Sequence, residues 1–143
     1  MSEQRAALVA EARGWIGTPY RHQASVKGAG CDCLGLIRGL WRAHHGAEPE
    51  ALPAYGPDWA ECRGDEALWQ ALARHLRPAD SAEQPGDIVL FRMRAGAVAK
   101  HLGVLSEAGP SPRFIHAYSG HGVVESPLSR PWARRIVARF DLI

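Results

Sequence analysis

The spacing of apolar residues changes along the chain, from a helical repeat in the first half to the short apolar runs of strands in the second. The first apolar positions recur at three- and four-residue intervals: Ala7, Leu8, Ala12, Trp15 and Ile16. This spacing predicts an amphipathic helix over residues 3–15 that closes at Gly17. The next stretch, residues 17–30, is broken up by Gly, Pro and Ser and is predicted to be a loop.

A second helix is predicted to begin at Cys33, with Asp32 placed as its N-cap. Its apolar positions share one face: Leu34, Ile37, Leu40 and Trp41. A third helix is predicted over residues 65–76, capped by Asp65 and stopped by Pro78. The stretch between these helices, residues 46–64, is rich in Pro and Gly and is predicted to be an irregular crossing loop.

The rest of the chain has the residue pattern of β-strands. Five short runs rich in Val, Ile, Leu and Phe are separated by Gly, Pro and Ser clusters: DIVLFRM, HLGVLS, RFIHAY, GVVES and RRIVARFDLI. Helices followed by antiparallel strands predict an α+β domain rather than alternating βαβ units. A chain of 143 residues with 46% hydrophobic content and five tryptophans is enough for one core, so residues 1–143 are predicted to form a single domain.

Charge and hydropathy narrow the function classes. The formal net charge is +2 and the basic residues are scattered, which gives no case for a nucleic-acid partner. The N-terminal stretch lacks the apolar core and cleavage site of a secretory signal, and no apolar run reaches the roughly 18 to 20 residues of a membrane span. We therefore expect a protein made in the cytoplasm, with no membrane partner.

The three cysteines are Cys31, Cys33 and Cys62, and the first two form a Cys-Asp-Cys pair. A zinc site usually places two to four residues between paired ligands, and a disulfide within this pair would be strained. A thioredoxin-like redox pair also needs two intervening residues. An odd number of cysteines in a chain without a secretory signal favours free thiols, so the metal, disulfide and redox interpretations are the weaker ones.

A nucleophilic thiol explains the pair better. The helix macrodipole and the unpaired N–H groups at a helix N-terminus favour the thiolate at Cys33, and the same N–H groups can hold an oxyanion. The partner base would be one of three histidines: His101, His116 and His121. His101 and His116 lie in predicted strands that could be neighbours, where one imidazole could orient the other. An imidazole must be neutral to act as the base. With the ordinary pKa of a histidine, we therefore expect activity to be lost at acid pH.

Five blocks in this order resemble the NlpC-type papain-like cysteine peptidases of bacterial cell-wall metabolism: GTPYRH, DCLGL, PGDIVLF, HLGVL and FIHA. The resemblance runs from about residue 14 to residue 137. It implies a papain-like core in which N-terminal helices pack on a C-terminal antiparallel sheet of about five strands. The extended form GTPYRHQASVKGAGCDCLGLIRG resembles the branch found in the tails of phages and of gene transfer agents.

The resemblance also implies roles for particular residues. Cys33 would be the nucleophile, His101 the general base and acid, and His116 the residue that orients His101. Tyr20 would join the backbone N–H of Cys33 in the oxyanion hole. Asp32, the acidic residue of the same block, would belong with Tyr20 to the oxyanion and substrate-binding group. No metal site and no organic cofactor are implied.

Two departures from the family pattern concern the shape of the substrate groove. Leu34 follows the nucleophile where a small residue is usual, and Gln23 and Ala24 replace paired glycines. The connection EAGPSPR between the two histidine strands is also longer than expected for the family.

Other residues have simpler interpretations. His121 is predicted to be exposed or a groove contact, and Asp87 to serve the turn before its strand. Four tryptophans are predicted to be core residues: Trp15, Trp41, Trp69 and Trp132. Tyr55 and Trp59 are predicted to tether the Pro-rich loop, and Cys62 to be a spare thiol.

The implied activity is hydrolysis of the peptidoglycan peptide stem, typically at the γ-D-glutamyl–diaminopimelate bond. The implied partners are stem peptides and the tail-tip proteins of a phage or gene transfer agent. The protein would enter a phage-like particle tail and act in the periplasm or cell wall, helping the genome or tail through the host wall. Three alternatives stay open: an amidase, an acyl transferase, and a catalytically silent structural tail protein.

Overall fold

The computed structural model describes residues 2–49 and 66–143. The helices in these two stretches are α1 (Glu3–Gly14), α2 (Cys33–His45), α3 (Ala67–His75) and α4 (Arg130–Ala133). The strands there are β1 (Ser25–Val26), β2 (Gly30–Cys31), β3 (Arg77–Pro78), β4 (Ile88–Phe91), β5 (His101–Glu107), β6 (Arg113–Tyr118), β7 (Gly122–Pro127) and β8 (Ile136–Asp141). None of these helices has the length and apolar character needed to cross a bilayer.

The main sheet is antiparallel, with strand order β3-β8-β4-β5-β6-β7. It contains the five predicted strands, and the α+β class is confirmed. The additional strand is β3 at the sheet edge, where Pro78 pairs with Phe140. Pro78 was predicted only to stop a helix. It also lies in the edge strand β3, because an edge strand tolerates a residue that lacks an N–H group.

The sheet is covered differently on its two faces, since successive residues of a strand point to opposite sides. Helices α1 and α2 pack on one face, where the core includes Leu36, Leu102 and Ile115. The other face carries a smaller apolar group, which we call the second-face core: Val89, Phe91, Leu105, Phe114 and Leu128, with Trp132 of α4 packed against it. Both imidazoles of the predicted site, His101 and His116, are on strands of this sheet.

The predicted helices are confirmed, with shifted ends. Helix α1 ends at Gly14 rather than residue 15, and Gly17 has a φ of 93°, in the left-handed region that favours glycine. Helix α3 spans Ala67–His75, and Glu66 occupies its N-cap position without a side-chain cap hydrogen bond. The predicted cap, Asp65, lies outside the described residues.

The stretch predicted as a loop over residues 17–30 contains the small hairpin formed by β1 and β2, in which Ser25 pairs with Cys31. The prediction of an irregular loop was wrong there. Two-residue strands are too short to show an alternating pattern, and the turn between them is set by Gly28 at a φ of 82°. Most of the predicted crossing loop, including Tyr55, Trp59 and Cys62, lies outside the described residues.

A buried carboxylate ties α1 to the sheet. Asp87, fully buried before β4, accepts a hydrogen bond from Nη1 of Arg5 at 2.9 Å and another from Nη1 of Arg139 at 2.8 Å. It also accepts the backbone N–H of Gln84 at 3.2 Å, which is the turn contact that was predicted. The two ion pairs were not predicted, because each joins residues far apart in the chain.

We expect Asp87→Asn to lower the free energy of unfolding by about 3 kcal/mol, since it removes the buried charge that pairs with both Arg5 and Arg139 and leaves Arg5 only its pair with Asp141. Urea unfolding followed by circular dichroism measures this. Lys27→Gln is the control, because it removes an exposed pair with Glu11 (3.1 Å) and should cost less than about 1 kcal/mol. Equal costs for the two variants would contradict a stabilising role for the buried pairs.

Candidate active site

The start of α2 is fixed by one carboxylate. Asp32 is the N-cap, as predicted, and its Oδ1 accepts the backbone N–H of Gly35 at 2.7 Å. Its Oδ2 accepts the backbone N–H of Gln23, also at 2.7 Å. Asp32 is 2% exposed, so these bonds are shielded from water. The same side chain therefore holds the helix N-terminus and the loop that follows Tyr20; direct contact between Asp32 and substrate stays a prediction.

The close approach of this loop explains the glycine of the DCLG block. A Cβ at Gly35 would overlap the carbonyl oxygen of Ala24, which only glycine avoids. Gln23 has a φ of 66°, an uncommon conformation for a residue with a side chain. Gln23 stands where the family resemblance leads one to expect glycine, and its N–H bond to Asp32 stabilises that conformation.

The thiol of Cys33 lies against the first residues of β5. Sγ donates a hydrogen bond to the carbonyl oxygen of Lys100 at 3.5 Å, and the backbone N–H of Leu102 is directed at the sulfur. The backbone N–H groups of Cys33 and Leu34 at the helix start also point to it. Lys100 and Leu102 are the two neighbours of His101 in the chain, so the sulfur sits on the backbone that flanks this histidine.

The surroundings of Cys33 favour the protonated thiol at rest. Burial raises the pKa of Cys33 to about 12, the nearby Asp32 carboxylate raises it further, and the three backbone N–H groups oppose this rise. The N–H groups at the helix N-terminus do favour the thiolate, as predicted, but the loss of hydration outweighs them, so the net pKa of Cys33 is raised. The hydrogen bond that the thiol donates to Lys100 agrees with a neutral sulfur.

Two imidazoles and a hydroxyl form a hydrogen-bonded chain across three neighbouring strands. Nε2 of His101 and Nδ1 of His116 are 2.8 Å apart, and Nε2 of His116 is 3.0 Å from Oγ of Ser126. The antiparallel pairing of β5 with β6 that brings the histidines together is confirmed by the register of Val104 with Ile115. If Nδ1 of His101 is the basic nitrogen, its Nε2–H donates to His116, and His116 donates to Ser126.

The imidazoles are neutral over the physiological range. Burial lowers the pKa of His101 to about 3, with a further contribution from His116. Burial lowers the pKa of His116 to about 4, with a further contribution from His121. The loss of activity at acid pH stays a prediction, and these lowered pKa values would place it below about pH 5.

Tyr20 is held beside the thiol by backbone bonds. Its neighbours, Pro19 and Arg21, bond to Cys31: the N–H of Cys31 donates to Pro19 O, and the N–H of Arg21 donates to Cys31 O, both at 3.0 Å. Burial raises the pKa of Tyr20 to about 12, and the proximity of Cys33 raises it further. The hydroxyl thus stays protonated and is able to donate a hydrogen bond.

The two cysteines of the pair have different surroundings. Cys31 is fully buried in the core under the helices, and burial raises its pKa to about 12. Cys33 is partly exposed and has a free thiol, like Cys31. The site therefore brings together Cys33, His101, His116 and Tyr20 around the start of α2 and leaves Cys31 behind them in the core.

Two residues near the site, Ser126 and Trp132, were not predicted to belong to it, and the exposure of a third, His121, was predicted. Ser126 was not considered, because only the register between β6 and β7 places it beside His116. Trp132 was predicted to be core, yet it is partly exposed and packs on the histidines. His121 is exposed, as predicted, and its ring stacks on Tyr118 at 5.3 Å.

A thiol at a helix N-terminus beside an imidazole pair, on an α+β scaffold, is the arrangement used for nucleophilic attack on acyl groups. Residues 17–140 match the model of the NlpC/P60 family, and the chain belongs to this family. The fold and the order of the five sequence blocks agree with this assignment.

The chain is similar to longer proteins. It is 31% identical over 137 residues to the gamma-DL-glutamyl hydrolase of Bacillus subtilis (strain 168), covering 94% of this chain and 29% of that protein. Two crystal structures share the fold. One is that of an NLP/P60 protein similar to lipoproteins from Staphylococcus aureus, with a TM-score of 0.64 and 22% identity, and the match covers 100% of this chain and 42% of that one. The other is that of an NlpC/P60 protein from Bacillus cereus, with a TM-score of 0.63 and 20% identity, and the match covers 94% of this chain and 39% of that one. The chain thus spans less than half the length of each.

The buried imidazoles predict a pH-dependent stability. Unfolded histidines bind protons near pH 6.5, whereas the folded pair binds them only near pH 3 to 4, so the unfolded state holds more protons in between. Stability contributed by this pair is complete above about pH 6.5 and is lost as the pH falls. Between about pH 7.5 and about pH 5 we expect a loss of roughly 2 kcal/mol for each histidine.

Urea unfolding at the two pH values measures this loss. In His116→Gln the dependence on pH should be visibly shallower, while His44→Gln, which changes a ring in the last turn of α2, should keep the wild-type dependence. An unchanged dependence in His116→Gln would mean that the pair is not held neutral by burial.

Proposed function

We propose that this domain is a cysteine peptidase that hydrolyses an amide bond in the peptide stem of peptidoglycan, at the γ-D-glutamyl–diaminopimelate bond. The observation that carries the proposal is the position of the Cys33 sulfur on the backbone flanking His101, next to the His101–His116–Ser126 chain. Family membership supports the reaction class. The name of the Bacillus subtilis relative, a gamma-DL-glutamyl hydrolase, supports the γ-glutamyl bond.

The first step follows from the resting protonation states. The Cys33 sulfur attacks the scissile carbonyl carbon as its proton passes to Nδ1 of His101, because Nε2 is already engaged with His116. The new positive charge on His101 is stabilised through its hydrogen bond to His116. The oxyanion forms where the backbone N–H of Cys33 and the Tyr20 hydroxyl can donate to it.

The second step releases the amine. His101 returns its proton to the leaving nitrogen, the carbon–nitrogen bond breaks, and a thioester to Cys33 remains. Water then attacks this thioester while His101 accepts a proton from it, and the proton finally returns to the sulfur as the acid leaves. The same chemistry serves an amidase or an acyl transferase, so the bond that is cut and the acceptor define the activity.

Digestion of purified sacculi tests the proposal. Cys33→Ala should lose at least about a thousandfold in rate, because no other group replaces the nucleophile. Cys31→Ala is the matched control: it removes a thiol two residues away and should stay within a few-fold of wild type. Mass spectrometry of the products should show cleavage after γ-D-glutamate. Activity that survives in Cys33→Ala, or products of another bond, would contradict the proposal.

We further propose, from the resemblance of residues 17–39 to the phage branch, that the domain is carried to the wall in a phage-like tail, with tail-tip proteins as partners. Purified particles from producing cells should contain the chain, and Cys33→Ala particles should assemble but digest host sacculi poorly. If the purified particles lack the chain and all of it stays in the cell extract, this part of the proposal is wrong.

A further inference from the structure

The two imidazoles lie on the face of the sheet that α1 and α2 do not cover. His101 and His116 contact the aromatic rings of the second-face core, with His101 5.6 Å from Phe91 and His116 4.1 Å from Phe114 between ring centroids. Helices α1 and α2 pack on the opposite face of the sheet. Within the described part of the chain, the indole of Trp132 packs on this face beside both imidazoles.

Trp132 contacts both histidines with one ring. Its centroid lies 5.6 Å from that of His101, at an interplanar angle of 35°, and 5.2 Å from that of His116, nearly edge-on at 78°. Three further rings surround the indole at 5.2 to 5.8 Å: Phe91, Phe114 and Tyr118. The guanidinium of Arg135 lies 5.3 Å from the indole centroid.

The indole is fixed by the short helix that bears it. Helix α4 spans four residues, and the N–H of Arg135 donates to the carbonyl of Trp132 at 3.0 Å. The carbonyl of Arg135 accepts the N–H of Arg92 at 2.8 Å, which joins this corner to the end of β4. The ring therefore has a defined position over the histidines, although it is partly exposed.

We propose that Trp132 is a positioning residue: its indole fixes the relative orientation of His101 and His116 and keeps water away from the bond between them. A hydrogen bond between two rings is directional, and a planar neighbour in contact with both limits their rotation. The kinetic part of the proposal rests on the proposed peptidase function; the structural part does not.

Several ionisable groups surround the pair and would contribute to its titration. On β6 and in the turn that follows it are Tyr118 and His121, and at the start of α2 is Cys33. Arg135 lies on the indole. Because the Arg135 guanidinium lies on the indole, Arg135→Gln measured alone separates the effect of this charge on the titration from the effect of the ring.

The test is an NMR titration of the histidine rings in Trp132→Met, which fills much of the volume without a planar ring. With water admitted, the pKa values of His101 and His116 should rise by about one pH unit or more. Trp132→Phe keeps a smaller ring and should show a smaller rise. Trp69→Met is the control, because Trp69 is also partly buried but packs on the helix-side core.

Kinetics supply the second readout. In Trp132→Met the acid limb of kcat/KM should move to higher pH by the same amount, and kcat at neutral pH should fall about tenfold, with KM little changed. Trp132→Phe should recover most of the rate. Trp69→Met should leave the acid limb where it is in the wild type.

Unchanged histidine titrations in folded Trp132→Met, or equal shifts in Trp69→Met, would overturn the proposal. If Trp132→Met does not fold, the Trp132→Phe titration decides: a rise supports the proposal and no rise overturns it. The NMR measurement needs no substrate. A domain that cleaves no peptidoglycan, yet shows the rise, would refute the proposed function and leave the role of Trp132 standing.

Discussion

The site depends on the buried carboxylate of Asp32. Its two oxygens hold the N–H of Gly35 in the first turn of α2 and the N–H of Gln23 in the loop after Tyr20. Charge-assisted bonds of this kind are short and strong, and burial protects them from competition with water. Cys33 is the next residue in the chain, so the side chain of Asp32, together with the backbone bonds of Cys31 to Pro19 and Arg21, sets the position of the sulfur relative to Tyr20.

Burial then decides the protonation of the reacting groups. A helix N-terminus stabilises a negative charge by roughly 0.3–1 kcal/mol, which is less than the cost of removing a thiolate from water. The same loss of water disfavours the imidazolium form of His101 and His116. The raised pKa of the thiol and the lowered pKa values of the imidazoles favour neutral forms of all three groups at rest, and in the proposed mechanism charge appears only when the sulfur attacks. The second-face core, with Trp132 above it, is part of what keeps the histidines neutral.

Local patterns predicted much of this structure. The helix starting at Cys33, its cap by Asp32 and the five longer strands follow from periodicity and from residues whose preferences are strong. What could not be predicted depends on strand register or on contacts distant in the chain. Examples are the hydrogen bond between His116 and Ser126, the bonds of Asp87 to two arginines, and the position of Trp132 beside the histidines. The raised pKa of Cys33 could not be predicted, because the sequence shows a helix start but not the burial around it.

The most direct test of this account is the titration of the Cys33 thiol by the ultraviolet absorbance of its thiolate, recorded as the difference between wild type and Cys33→Ala. The difference cancels the signals of Cys31 and Cys62. If the Cys33 thiol is neutral at rest, the difference absorbance should show no rise from thiolate formation between about pH 4 and about pH 9. A step in the acid range, with a thiolate present at neutral pH, would show a thiolate–imidazolium pair at rest and would contradict the account.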